Sequence, residues 1–582
     1  MKQARSISRT AIGLGAAALL LVSASTTVQA ELPRIPLFSF SSPSGSYLAA
    51  RTARAARDMA AASSYYRSVL RSDPSNPDLV ELTFLVTLGS GAVEESFPLA
   101  ERVIAFDKSH RIARLALAAR AIKNNQFAQA RAQLQSSSLG PIADLTATLL
   151  TAWSWQGANN YKAAVATIDK LQGPDWYALF KDLHAGLILD LANQRNDALK
   201  RLDRVRAIDP NSLRNIDAYA RMLSRAGRDD DAVKVYGSFS RALARHPLVE
   251  AGLDELKTKK KLAPLVTNAA GGASEALYGL GAALSQQGGE DLGMLYLQLA
   301  IYLNPDHPLA LVALGDLFET LKKYESAIDT YERVPESSPL KRKALIQRAL
   351  NLDVLDKKDE AREQLQTLVK EKADDIEAQF ALANVLRAGK KFAEAGDVYS
   401  KVLELLGEPK REHWSLYYFR GICYERSKQW ALAEKDFQEA LKLFPDQPQV
   451  LNYLGYSWVD QGVNLDKALD MIRKAVSLRP KDGYIIDSLG WAYYRLGRYE
   501  EAAAELERAV ELTPNDPTIN DHLGDVYWKT DRKLEAHFQW SHALEMKPEP
   551  EDLTRIQQKL KEGLIDEPQS PRASEQQNPN KG

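Results

Sequence analysis

Apolar residues recur along this chain with the spacing of paired amphipathic helices, and the pairs repeat. Leu489-Gly490 leads to Tyr493, Ala502, Leu506, Ala509 and Pro514; Leu523-Gly524 leads in the same steps to Tyr527, Ala536, Trp540, Ala543 and Pro548. Adjacent Leu-Gly pairs, at Leu280, Leu314, Leu454, Leu489 and Leu523, stand 34 or 35 residues apart. A fixed period of this length predicts one helix-turn-helix unit stacked many times. No stretch alternates strand-forming and polar residues between hairpin turns, so the pattern predicts no sheet.

The register places repeat starts at Ser274, Pro308, Arg342, Ile376, Trp414, Pro448, Gly483 and Pro517. Their eighth positions are all Gly or Ala, and six of the eight close on proline. Small residues at the eighth and twentieth positions let two helix backbones approach where a larger side chain would hold them apart. Extra residues at Gly462–Leu465 and Gly407–His413 fall in turns. Upstream, the same ruler gives starts at Pro43, Pro77, Arg111, Leu145, Leu179 and Leu213, with regular spacing but degenerate letters. Phase is lost across 247–273, a segment with four lysines, Pro264 and Gly271-Gly272 that is expected as an irregular joint. The organisation expected is a signal peptide (1–30), a flexible leader (31–42), a degenerate array of about six repeats (43–246), the joint (247–273), an array of eight repeats (274–550), and a short helical end with a disordered tail (551–582).

The Leu-Gly, Tyr, Ala and Pro positions resemble the tetratricopeptide repeat (TPR). The resemblance implies an all-α, right-handed superhelical solenoid, here two arrays, that binds proteins or peptides. In that family the first helix of each repeat lines the concave surface, contacting ligand through its second, fifth, ninth, twelfth and thirteenth positions. Carried onto the four firmest repeats, these positions give Tyr418, Asn452, Tyr456, Tyr484, Asp487, Trp491, Tyr494, Arg495, Asp521, Asp525 and Trp528 as candidate binding residues. Successive helical residues point about 100° apart, so Tyr493 and Tyr527 match the core position while Tyr494 and Trp528 face the groove or the next repeat's first helix. Asn452 matches a position that holds a ligand carboxylate in some members, but Tyr456 and Glu425 replace the accompanying clamp residues.

Composition narrows the partner. The chain has 582 residues, 75 basic and 76 acidic, for a net charge of -1, so nothing electrostatic argues for nucleic acid or an anionic membrane. The single cysteine, Cys423, leaves no internal disulfide and no Cys-rich zinc site. Lys2, Arg5 and Arg9, the apolar run Ala11–Val22 and Val28-Gln29-Ala30 read in order as a cleavable secretory signal, which predicts export, to the periplasm if the cell is Gram-negative. No later segment is apolar enough to span a bilayer. Nucleotide-binding loops, nucleophile elbows and zinc-protease helices are missing, and the array leaves no room for a nucleotide-sugar domain. His522 beside Asp521 and Asp525 reads as a solvated helix face in preference to a metal site. No cofactor, metal or catalytic residue is expected. The function expected is an exported scaffold or adaptor in envelope assembly or maintenance; the alternatives are a self-associating solenoid, hence a homo-oligomer, or a non-catalytic subunit of an envelope enzyme.

Overall fold

The computed structural model describes residues 42–136, 140–242 and 246–564. The expected signal peptide, nearly all of the leader, and the tail from residue 565 lie outside the described residues. The chain divides into two compact units, up to Gln364 and from Leu365 onward. The first contains α1 (Pro43–Ala55), α2 (Met59–Ser72), α3 (Pro77–Gly89), α4 (Val93–Phe106), α5 (Arg111–Lys123), α6 (Phe127–Gln135), α7 (Pro141–Gly157), α8 (Tyr161–Lys170), α9 (Tyr177–Leu191), α10 (Arg195–Ile208), α11 (Leu213–Arg225), α12 (Asp229–Ala242), α13 (Pro247–Lys257), α14 (Ala269–Gln286), α15 (Glu290–Leu303), α16 (Pro308–Thr320), α17 (Tyr324–Glu332) and α18 (Lys341–Val354). Helix α19 (Lys358–Glu371) spans the boundary. The second holds α20 (Ile376–Ala388), α21 (Phe392–Leu406), α22 (Trp414–Arg426), α23 (Trp430–Leu443), α24 (Pro448–Asp460), α25 (Leu465–Leu478), α26 (Gly483–Arg495), α27 (Tyr499–Leu512), α28 (Pro517–Lys529), α29 (Lys533–Glu545) and α30 (Pro550–Glu562). No strand occurs among the described residues, and the fold is an all-α helical-repeat solenoid.

The first helices α16, α20, α22, α24, α26 and α28 begin on the residue where the sequence period starts a repeat. The reason for the small eighth residue is visible at Gly524, where an added Cβ would lie 2.4 Å from Trp540 Nε1, and at Gly490, where it would lie 2.5 Å from Leu506 Cγ. The turn after each first helix carries at least one left-handed residue. In the first array these are Arg57, Gly91, Asn125, Asn159, Asn193 and Gly227, each 34 residues after the last. This position ends a helix by turning its final carbonyls onto the following amides, and Gly and Asn reach it at least cost. The backbone of the first array is therefore as periodic as that of the second, although its letters are not. Both turn insertions sit where expected: Gly462 and Asn464 take left-handed conformations before α25, and a 3-10 turn, Arg411–His413, leads into α22.

Within the first unit, α14 and α15 fold back against α3, α5, α7 and α9, all first helices of the upstream array. Trp153 of α7 packs on Gly272 of α14, the Thr146 and Tyr296 hydroxyls lie 3.0 Å apart, Gln298 donates to the Gly89 carbonyl and Lys123 to that of Tyr302. A buried ion pair joins Arg214 of α11 to both carboxylate oxygens of Glu275 of α14, and His307 Nε2 lies 3.0 Å from Oε2, which it shares with Arg214. The first array's inner side is thus filled by its own chain. The segment 247–273 expected as an irregular joint is partly regular. It contains α13 and the start of α14, and between them Leu262 and Val266 are buried while Arg221 holds the Ala263 carbonyl. The compact units divide elsewhere, at Gln364.

Candidate functional site

In the second unit the first helices touch one another directly, α24 on α26 and α26 on α28, which places them on the inner side of the repeat stack. Gln and Asp caps fix the starts of four of them: Asp375, Gln447, Asp482 and Asp516 each accept a backbone amide of the first turn. The inward side chains of α24, α26 and α28 then follow from the register.

Two rings dominate the open part. Trp491 and Tyr494, one turn apart on α26, stack with centroids 4.7 Å apart and planes within 14°. Trp491 also stacks on His522 of α28 at 4.0 Å. Tyr484 at the head of α26 is 41% exposed, and Arg495 at its foot is exposed and reaches Asp460 of α24 at 3.4 Å. Tyr456 is half-buried, its hydroxyl pushed up by burial and by the nearby Asp487 carboxylate.

Other expected contact residues are covered. Tyr418 is 6% exposed, enclosed by Trp414, Phe419, Phe437 and Tyr453, so it belongs to the core between α22 and its neighbours. Asn452 donates to Ser488 Oγ at 3.1 Å, tying α24 to α26. Asp487 is buried and receives His522 Nδ1 at 2.9 Å, which requires the proton on Nδ1. Burial alone would lower the His522 imidazole, but Asp487, with Asp521 and Asp525, holds it above its ordinary value.

Asp521 and Asp525, expected on a solvated face, are 1% and 4% exposed. The cover is α30. Lys559 Nζ lies 2.8 Å from both Asp521 oxygens and 2.7 Å from Asp525 Oδ1, and Arg555 reaches Asp521 at 3.0 Å. Trp540 donates its indole N–H to Asp525 at 3.0 Å. Burial, reinforced by the neighbouring Asp521 charge, pushes the Asp525 carboxyl above the ordinary range despite Lys559. Trp528 is half-buried between Trp540 and Gly563, where an added Cβ would lie 2.2 Å from the indole. Lys559 and Arg555 were missed in the sequence. The available signal was the acidic pair itself, two carboxylates one turn apart on a face that the register turns inward, where burial demands a counter-charge.

Models of the tetratricopeptide repeat match residues 295–341, 346–411 and 414–447, and a model of the TPR repeat matches 490–531. A TPR repeat-containing protein of Pseudomonas aeruginosa is 30% identical over 192 residues, 32% of this chain and 31% of that protein, so the chain spans about a third of that relative's length. Among solved structures, a tetratricopeptide repeat protein from Parabacteroides merdae is 18% identical with a TM-score of 0.37, over 43% of this chain and 96% of that one. The Cut9–Hcn1 hetero-tetramer of the APC/C gives 16% identity and a TM-score of 0.37, over 90% of this chain and 97% of that one. With the repeat matched in four stretches and its small-residue helix contacts in place, the chain belongs to the tetratricopeptide repeat family, whose arrays bind proteins or peptides.

Proposed function

We propose that this chain is an exported scaffold or adaptor of the cell envelope that holds a segment of another protein on the inner side of its second unit. The observation that carries the reading is the accessible aromatic run of α26: Tyr484 exposed, Trp491 and Tyr494 half-buried and stacked, with Arg495 beside them. Large rings with open faces in a concave setting are the residues that dominate binding energy, at roughly 2 kcal/mol or more each. The first array supports the choice by contrast, since α14 and α15 already occupy its inner side. Export rests on the basic start, apolar run and Val28-Gln29-Ala30 of the sequence. The chain binds and does not catalyse in this reading.

Replacing Tyr484 and Tyr494 together with alanine should lower partner capture from envelope extracts more than about tenfold while leaving helicity unchanged; normal capture by a folded double variant refutes the groove. Mass spectrometry finding a mature N-terminus at Glu31 supports export, and retained Met1 opposes it. A second reading, self-association, is favoured by Leu534 and Phe538, which stand one turn apart on α29 at 83% and 67% exposed. Sedimentation showing a concentration-dependent increase in mass, abolished by Phe538→Ser, would establish it.

A further inference from the structure

Helix α30 is the last described element, and Arg555 and Lys559 tie it to the second unit by charge, beside a partly buried apolar stripe of Leu553, Ile556 and Leu560. Of its own residues, Ile556 and Lys559 are the buried ones, followed by Gly563 just past its end. Arg555 is half in solvent, and the N-cap Glu549 lies 3.9 Å from the exposed Lys390. Beneath it lies a bed prepared for a cation. The Lys559 ammonium meets both oxygens of Asp521 and both of Asp525 within 2.8 Å. The bed also extends past what Lys559 covers: Asp487 and His522 continue it onto α26, Trp491 stacks on that imidazole, and Tyr456 on α24 lies in the field of both Asp487 and Arg555.

We infer that α30 is an exchangeable occupant of the inner face, and that the acid–aromatic bed beneath it accepts a helical partner segment carrying Arg and Lys four residues apart. This rests on the reading that the second unit binds partners on its inner side, and it specifies their chemistry. The argument is complementarity observed with a helix already seated. An ammonium at position i+4 and a guanidinium at i meet two carboxylates on α28, and any helix presenting that pair on one face can make the same contacts. Among the described residues α30 packs on one side only, so it leaves without unstacking a described repeat. Charge pairs of this kind set the choice of partner and its register more than bulk affinity.

The test uses the full chain with Arg555→Ala and Lys559→Ala, and a fluorescent peptide of the chain's own residues 549–564 added in trans. Amide exchange should show α30 deprotected in the variant while α26 stays protected. Fluorescence anisotropy should then show the peptide binding the variant about thirtyfold or more tightly than the unsubstituted chain, in which the site is filled. A peptide carrying Lys559→Ala should lose the binding, as should a variant chain that also carries Asp521→Asn and Asp525→Asn. If α30 stays protected in the variant, or is released and no peptide binds, the inference is overturned. If the unsubstituted chain forms dimers by exchanging α30, the occupant is a second copy and the partner chemistry is withdrawn. None of these readings depends on Tyr484 or Tyr494, so the groove and its cationic ligand fail separately.

Discussion

Gly271 and Gly272 are adjacent on α14, yet alanine should act on them in opposite directions. A Cβ at Gly272 would lie 2.3 Å from Cδ2, Cε2 and Cε3 of Trp153, a side chain with no exposure. The indole cannot retreat freely, because its N–H donates to His184 Nδ1 at 3.1 Å and its ring abuts that imidazole edge-on. Overpacking of this kind costs roughly 1–3 kcal/mol, and contact with three ring atoms at once belongs at the upper end. Removing a helical glycine returns about 1 kcal/mol, leaving Gly272→Ala destabilised by about 2 kcal/mol. At Gly271 the nearest atoms to a Cβ are Asn268 Oδ1 at 3.4 Å and Val266 Cγ1 at 3.6 Å, ordinary contacts, so Gly271→Ala should be neutral or slightly stabilising. Because repeat contacts are local, amide exchange over 141–157 and 269–286 is the proper readout, and about 2 kcal/mol corresponds to about thirtyfold faster exchange for Gly272→Ala alone. Equal protection in the two variants would refute the docking of α14 inside the first array, and with it the reason for assigning partner binding to the second unit.

Further outcomes follow from individual groups. Burial lowers the His184 imidazole to about 4, below its ordinary 6.5, so between those values the unfolded chain binds a proton that the native state refuses. Stability of the α7–α9 region is then lost as pH falls from about 6.5 toward 4, by on the order of 3 kcal/mol, and urea-dependent exchange should show His184→Gln free of that loss. His522 is shifted upward instead, so its contribution to the second unit is present at low pH and is lost as pH rises through its folded value. Trp528→Ala should destabilise α28–α30 by about 2–3 kcal/mol, since the ring fills the space between Trp540 and Gly563, while Tyr484→Ala should stay within about 0.5 kcal/mol in thermal melts. Burial pushes the Cys423 thiol up to about 12, so Ellman's reagent should leave it unmodified until the second unit unfolds.

The repeat was legible because its letters are packing constraints. Gly at the eighth position and Ala at the twentieth are dictated by two helices touching, and a period of such constraints fixes where helices start. In the first array the same geometry is carried by left-handed turn residues such as Asn125 and Asn159, which the core letters do not advertise. Binding residues were legible as positions only. The register gives Asp521, Asp525 and Trp528 a place on the first helix, but whether such a residue meets solvent or another helix depends on segments distant in sequence. Lys559, 38 positions after Asp521, decides it for the acidic pair. Likewise nothing in the letters of 269–303 announces that α14 and α15 turn back onto α3, α5 and α7; that is a tertiary outcome of large apolar faces, Tyr296, Leu299 and Tyr302 among them, finding a concave surface to cover.

The central claim, that partners are held on the inner side of the second unit, is tested most directly by site-specific photocrosslinking in the producing cell. A photoreactive phenylalanine analogue is placed in turn at Tyr484 on the inner side, at Leu534 on the outer side of α29, and at the half-exposed Ile112 of the first array. A single heteromeric adduct formed from position 484, and from neither of the others, is the predicted result. Adducts from position 112 or 534 with none from 484 would contradict the account.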